Sequence, residues 1–381
     1  MAKVVIFQYR LLHYRTELFD LLREACGHRG ITLHLIHGQP TRREAARHDQ
    51  GNLPWAQRVR NFYLPVGRRD VVWQPFPREH RDARLVVVMQ ENRLLSNYPL
   101  LLLPRRQQMR LAYWGHGRNF QSPRPEGFLE RWKTTLVGRV DWWFAYTQAT
   151  RRILLTDGYP DERITVLDNA IDSQAFQKDL GSFGAEDLAL IRKDIGAGSG
   201  TMIGLFCGSL YPDKRLDYLI TAGDYIHERL EDFVLVVVGD GPSGAEVRSA
   251  AVSRPWLRWV GARKGREKAG YFRVASVVLN PGAVGLHVLD AFCAGIPMVT
   301  TEDARHGPEI AYLKNGQNGL VVAGGPERYA DVVIELLRSP AVQEHLREGS
   351  RQAAEAYTLP NMVQNFADGI ERCLAMPRKE Q

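Results

Sequence analysis

The chain alternates short continuous apolar runs with stretches in which apolar residues recur every three or four positions. In the second half this alternation is nearly unbroken. Thr201–Phe206, Phe233–Val238, Leu257–Val260, Ser276–Leu279 and Pro297–Thr300 predict strands. Between them, Lys214–Glu228, Gly244–Val252, Arg266–Val274 and Leu286–Ala294 predict helices, the last closed by Gly295. Strands joined by helical crossovers predict a parallel sheet covered on both faces. The first half follows the same grammar, with strands predicted at Lys3–Phe7, Thr32–Ile36, Arg84–Met89, Arg110–Trp114, Trp142–Tyr146 and Ile164–Leu167. Between Gly38 and Asp82, a stretch rich in Arg, Pro and Gln shows no clear pattern. The glycine-bearing segment Ser173–Gly200 predicts a connection, and Met362–Leu374 predicts a closing helix. The expected organisation is α/β. A Rossmann-like domain covers 1–172, a linker 173–200, a second Rossmann-like domain 201–355 and a C-terminal helix 356–381, which can cross back to the first domain. The two domains are expected to face each other across a cleft.

Composition narrows the class. A chain of 381 residues with 44 % hydrophobic and 24 % charged positions suits two soluble domains. Its longest apolar runs, such as Leu85–Met89, Leu100–Leu103 and Phe233–Val238, fall far short of the ~20 residues that span a bilayer. The opening Met1–Phe7 reads as a strand and not as a secretory signal, and Cys26, Cys207, Cys293 and Cys373 show no C-x-x-C spacing. A cytoplasmic setting is expected. The formal net charge is +7, with 28 Lys+Arg against 18 Asp+Glu in residues 1–180 and 22 against 25 thereafter. That asymmetry fits an anionic partner of the first half, or simply an Arg-rich composition. The basic residues are scattered without a helix-turn-helix, RNP or zinc pattern, so nucleic acid is not expected.

Ligands of open α/β sheets bind beyond the carboxyl ends of the strands, so the post-strand loops hold the candidate chemistry. Cys207–Arg215 places Lys214 and Arg215 where a helix is predicted to begin, which suits an anion or merely a solvated first turn. Asn280–Pro297 carries two glycines ahead of a helix, and Asp290 inside an apolar stretch. Such a carboxylate needs a partner, either ribose hydroxyls or a neighbouring cation. His116 stands between two glycines after a strand. The loop Gln8–Arg15 offers Tyr9, Arg10, Tyr14 and Arg15, a mixture suited to a sugar beside a phosphate or lipid headgroup. Arg105, Arg106 and Arg110, with Trp132, Trp142 and Trp143, suggest peripheral contact with an anionic membrane, or else core tryptophans and solvated arginines. Gly239–Gly244 matches G-x-G-x-x-G, and with Arg263 would suit NADP. It follows the second strand of its half, however, and no acid closes the next strand.

The run Asn280–Pro297 resembles the signature P-S-x-x-E-G-F-G-L-x-x-L-E-A-x-A-x-G-x-P-V-V of family-4 glycosyltransferases with the GT-B fold. Four further pieces fall in the same order. Gly208–Lys214 resembles the G-R-L-x-x-x-K-G donor loop, Val238–Pro242 the V-G-D-G-P strand end, and Asp168–Asp172 with Phe176 the N-G-V-D-x-x-x-F element. Glu309-Ile310 through Val321 resembles P-E-I-x-x-x-x-x-x-G-L-V. The likeness is good over about 155–355 and loose before. It implies a retaining glycosyltransferase that moves a sugar from a nucleotide-diphosphate donor to a glycan or lipid-linked acceptor, metal-independent and without a cofactor, in cell-surface polysaccharide or glycolipid synthesis. By the same resemblance Lys214 neutralises the diphosphate, Asp290 holds the ribose, and Gly285 and Leu286 bring amides to phosphate and sugar. His116 reaches the reacting sugar. Gly282 stands where the family has its first glutamate, and Ser209 replaces the donor-loop arginine, with Arg215 as its substitute. His287 or Glu309 would take over the role of the glutamate that Gly282 replaces. A catalytically degenerate binding protein, a nucleotide-sugar epimerase and an NADP-dependent oxidoreductase are the alternatives.

Overall fold

The computed structural model describes residues 1–45, 49–66, 69–102, 108–117 and 135–379. The chain divides into two compact units. One comprises Met1–Asp172 and the C-terminal stretch from Leu359, the other Ser173–Thr358.

In the first unit, β1 (Ala2–Gln8), β2 (Ile31–His37), β3 (Gln57–Arg58), β6 (Leu85–Met89), β7 (Arg110–Gly115), β8 (Trp142–Ala145) and β9 (Ile164–Val166) form one sheet in the order β3-β2-β1-β6-β7-β8-β9. Every pairing in it is parallel. Counted without the inserted hairpin β4 (Phe62–Val66) and β5 (Arg69–Trp73), this is the doubly wound order 3-2-1-4-5-6 with one strand added. The direction of winding reverses between β1 and β6. The hairpin and the edge strand β3 account for the stretch between Gly38 and Asp82 that shows no pattern: its elements are too short to establish a period.

Trp142 and Trp143 are fully buried on opposite faces of β8, where their indoles donate to Thr165 Oγ1 and the Val137 carbonyl. The expectation that they touch a membrane is therefore corrected, because β8 is covered on both sides. Arg110 is also engaged, donating to the Met376 carbonyl. Arg105, Arg106 and Trp132 lie outside the described residues. On the face that carries Trp114 and Phe144, the C-terminal helix Leu359–Ala375 contributes Phe366, whose ring lies 5.1 and 4.5 Å from theirs.

The second unit holds β10 (Met202–Cys207), β11 (Phe233–Val238), β12 (Leu257–Gly261), β13 (Val277–Leu279), β14 (Met298–Thr301) and β15 (Gly319–Val322). They run parallel in the order β12-β11-β10-β13-β14-β15, again 3-2-1-4-5-6, with the switch point between β10 and β13. The segment 173–200, expected as a linker, is instead part of this unit. It forms helices Gln174–Leu180 and Ala185–Asp194, packed on helix Gly265–Val274 through Phe176 against Phe272. Gly181, Gly184 and Gly196 are helix boundaries within it. The Gly184 N–H donates to Asp187 at the start of the second helix, and Gly196, at φ 74°, takes the left-handed position after its end.

Phe366→Ala removes a fully buried ring from between two aromatic partners. It is expected to lower the stability of the first unit by about 3–5 kcal/mol in urea denaturation.

Candidate functional site

At the switch point of the second unit, two post-strand loops meet backbone to backbone. The loop after β10 runs through Gly208 to a 3-10 turn, Pro212–Lys214, and the loop after β13 through Gly282 to Gly285. The Ala283 N–H donates to the Asp213 carbonyl at 2.9 Å. A Cβ on residue 282 would stand 2.3 Å from the Lys214 carbonyl carbon and 2.4 Å from the Asp213 oxygen. Only glycine fits there, at the position where the sequence resemblance would place a glutamate. The second loop is braced from below. His306 donates through Nε2 to the Thr301 carbonyl and accepts the Val284 N–H at Nδ1, while the Gly307 N–H donates to the Val284 carbonyl. One ring nitrogen donating and the other accepting defines a neutral imidazole. The sequence reading missed His306, since a lone histidine in a polar loop carries no periodic signal.

The two adjacent cations diverge. The Lys214 ammonium donates to the Ala283 carbonyl, and its burial lowers its pKa, partly countered by Asp213 and Glu309. Arg215 occupies the left-handed region at φ 54° and turns away. Its guanidinium pairs with Asp303 at 2.7 Å, donates to Thr301 Oγ1 at 3.1 Å and lies over the Tyr218 ring. That backbone turn also delays the helix to Leu216–Arg229, two residues later than the periodicity predicts. Ser209 is exposed.

Helix Val288–Cys293 likewise begins later than expected, leaving Gly285 and Leu286 in the turn before it and His287 at its N-cap. Burial, Lys214, His306 and Lys268 push the His287 imidazole down to about 3, so it is neutral. Asp290 lies in the first turn, and Lys268 Nζ donates to its Oδ1 at 3.0 Å, the pairing with a neighbouring cation that the sequence left as one option. Burial raises the Asp290 carboxyl while Lys268 opposes the rise. The same ammonium sits 4.3 Å from the Phe176 ring centroid. Glu309 is buried in the 3-10 turn Pro308–Tyr312 and is near enough to Lys214 to act on its titration.

The fingerprint Gly239–Gly244 does something else. A Cβ at Gly239 would lie 1.9 Å from the Gly208 oxygen, and one at Gly241 2.7 Å from the Leu210 oxygen. The Leu210 N–H donates to the Asp240 carbonyl, and the Ser243 N–H to the Leu210 carbonyl. These glycines let the loop after β11 seat the loop after β10, on a strand one removed from the switch point. A dinucleotide cradle, and with it the NADP reading, is corrected on that ground.

In the first unit, Gln90 at the end of β6 clamps Gly117 in both directions, its amide donating to the Gly117 carbonyl and accepting the Gly117 N–H. His116 is thereby held beside β8, its ring stacked 4.0 Å from that of Tyr146. Tyr9 and Arg10 are engaged internally. The Tyr9 hydroxyl donates to Glu44 and accepts from Arg10, which pairs with Asp49 at 2.7 Å. Arg93 covers the Tyr9 ring. Tyr14 is partly exposed, and Arg15 lies among aromatic rings. The structure thus brings Lys214, Gly282, His287 and Glu309 together, and parts Arg215 from them. It separates Arg15 and Tyr14 from the internally bonded Tyr9 and Arg10.

Residues 202–339 match the family model described as Glycosyl transferases group 1. A D-inositol 3-phosphate glycosyltransferase from Streptomyces bingchenggensis is 26 % identical over 243 residues, 58 % of this chain and 50 % of that protein. One from Frankia alni is 30 % identical over 212 residues, 50 % of this chain and 51 % of its own length. The chain thus spans about half the length of these curated relatives. Among solved structures, Anabaena Alr3699/HepE in complex with UDP superposes with a TM-score of 0.69 at 15 % identity, covering 97 % of this chain and 100 % of that one. Sucrose-phosphate synthase from Thermosynechococcus elongatus gives 0.68 at 14 %, covering 97 % and 98 %. These likenesses show the fold, which is GT-B with two Rossmann-like domains.

His287 supplies a pH signature. The unfolded chain protonates it near 6.5, whereas the folded one keeps it neutral to about 3, so stability is held above pH 6.5 and lost as pH falls towards 3. Between pH 7 and about pH 5, His287→Gln is expected to lose about 2 kcal/mol less stability than the parent in urea denaturation.

Proposed function

We propose that this GT-B chain, whose second unit contains a group 1 glycosyltransferase domain, transfers a sugar from a nucleoside-diphosphate donor to an acceptor held by the first unit. The observation that carries the reading is the meeting of the β10 and β13 loops at the switch point, with the Lys214 ammonium aimed at the Gly282–Ala283 backbone. The neighbours solved with UDP and with UDP-glucose support a donor of this type.

Lys214 is the proposed diphosphate contact. A cation about 4 Å from a phosphate oxygen gains roughly 4 kcal/mol at an effective dielectric near 20, before desolvation. Asp290 Oδ2, on the carboxylate whose other oxygen Lys268 takes, is the proposed ribose acceptor. Neutral His287 and Glu309 are proposed beside the transferred sugar, with Gly285 and Leu286 offering backbone amides to it. His116 is proposed to contact the reacting sugar. Front-side transfer with retention is part of the proposal: the leaving diphosphate takes the acceptor's proton, and charge stabilisation replaces an enzyme nucleophile. The reaction is proposed to need neither a resident metal nor a cofactor.

Peripheral contact with an anionic membrane is also proposed, at a different place from the one the sequence suggested. The outward face of the β4–β5 hairpin presents Phe62, Leu64, Val66 and Trp73, each 44–62 % exposed, while Val72 on the opposite face is fully buried. An outward sheet face is ordinarily polar, and this one is apolar with Arg58 and Arg60 leading into it. No helix among the described residues is long and apolar enough to cross a membrane.

UDP is expected to raise the melting temperature of the chain. Lys214→Ala should weaken UDP binding about ten- to a hundredfold in calorimetric titration, the loss of one charged hydrogen bond. Unchanged affinity contradicts the donor assignment. In flotation on vesicles containing phosphatidylserine at low salt, the parent chain is expected with the lipid and a Leu64→Asp/Trp73→Asp variant in the aqueous fraction. Equal partition of the two contradicts the hairpin assignment.

A further inference from the structure

Arg15 is 6 % exposed, yet no carboxylate among the described residues pairs with it, and its Nη1 is buried without a hydrogen-bond acceptor. Arg10, five residues earlier and 8 % exposed, has both Asp49 and the Tyr9 hydroxyl. What surrounds Arg15 is aromatic. Its guanidinium carbon lies 5.0 Å from the Trp114 ring centroid, 5.4 Å from that of Tyr14 and 5.8 Å from that of Tyr146. Ring faces attract a cation, but they offset only part of what its desolvation costs and accept none of its N–H bonds.

A second donor is stranded beside it. Trp114 is 1 % exposed, and its Nε1 is buried with no acceptor. Gln8, at the end of β1, adds a third buried donor without a partner, Nε2. Gln8, Trp114 and Tyr146 project from the same face of the sheet at the carboxyl ends of their strands, because β1 pairs with β6, β6 with β7 and β7 with β8 in register. Arg15 closes the turn His13–Arg15 that follows β1, beside the β1/β6 switch point, where a doubly wound sheet takes its ligand. The Tyr146 ring it faces also stacks on His116.

Donors gathered without acceptors are complementary to an oxyanion. A guanidinium fork meets phosphate or carboxylate with two parallel hydrogen bonds, and packing against rings holds the fork in one orientation before the ligand arrives. We propose that Arg15, with Trp114 Nε1 beside it, forms an oxyanion subsite in the first unit, so that the acceptor carries a phosphate or a carboxylate. This rests on the reading of the first unit as the acceptor unit.

The test is a thermal-shift titration of the full chain, held at saturating UDP, with methyl phosphate and separately with acetate. At least one of the two anions is expected to stabilise the parent, the stronger response identifying the group. Arg15→Gln should raise the apparent dissociation constant at least tenfold. Arg15→Lys, which keeps the charge and loses the fork, should raise it at least threefold and serves as the comparison if Arg15→Gln does not fold. No response of the parent to either anion, or equal responses in parent and variant, overturns the subsite. The UDP response alone reports on the donor reading, so failure of that reading is seen separately from failure of the subsite.

Discussion

Three loops in the second unit, those after β10, β11 and β13, pack so closely that the glycines at their contacts can carry no side chain. Gly282 abuts the Asp213–Lys214 peptide, and Gly239 and Gly241 abut Gly208 and Leu210. Backbone touching backbone fixes Lys214 relative to the strands on both sides of the switch point, without relying on long side chains whose ordering would cost entropy. The lysine's place follows from that constraint, as does the orientation of Arg215, turned aside by its left-handed backbone. So does the seat of the loop through Ala283 and Val284, which His306 and Gly307 clamp from beneath. A methyl group at any of these three glycines would force the loops apart.

The two units solve the same topological problem with different chemistry. In the second, charge is answered nearby: Lys268 by Asp290, Arg215 by Asp303, Lys214 by a carbonyl. In the first, the loop after β1 splits into two halves. Arg10 and Tyr9 are locked to Asp49 and Glu44, whereas Arg15 is packed among rings and left without an anion. The paired half stabilises the loop, and the unpaired half is the proposed oxyanion subsite.

Much of the fold was legible because parallel strands buried on both faces leave continuous apolar runs: Phe233–Val238 and helix Gly244–Val252 fall where the pattern puts them. Helix starts were less legible. Pro212 and the left-handed Arg215 insert a tight turn, and Gly285–His287 form another, neither of which changes the apolar period. Glycines misled twice. At 184 and 196 they mark helix ends, and at 239–244 they serve loop packing, although each set reads as something else in one dimension. The loop-borne candidates Lys214, Gly282 and Asp290 were found by position after strands, but Lys268, the partner of Asp290, was not. That pair joins two helices separated by a strand, and nothing local announces it.

On the proposed reading, a nucleoside diphosphate is gripped by the converging backbones after β10 and β13. Amide hydrogen exchange on the full chain, with and without UDP, reads those backbones directly. Exchange is expected to slow in peptides covering 208–216 and 282–290, with the β4–β5 hairpin unaffected. Slowing confined to other segments, or no change at saturating UDP, would contradict the claim.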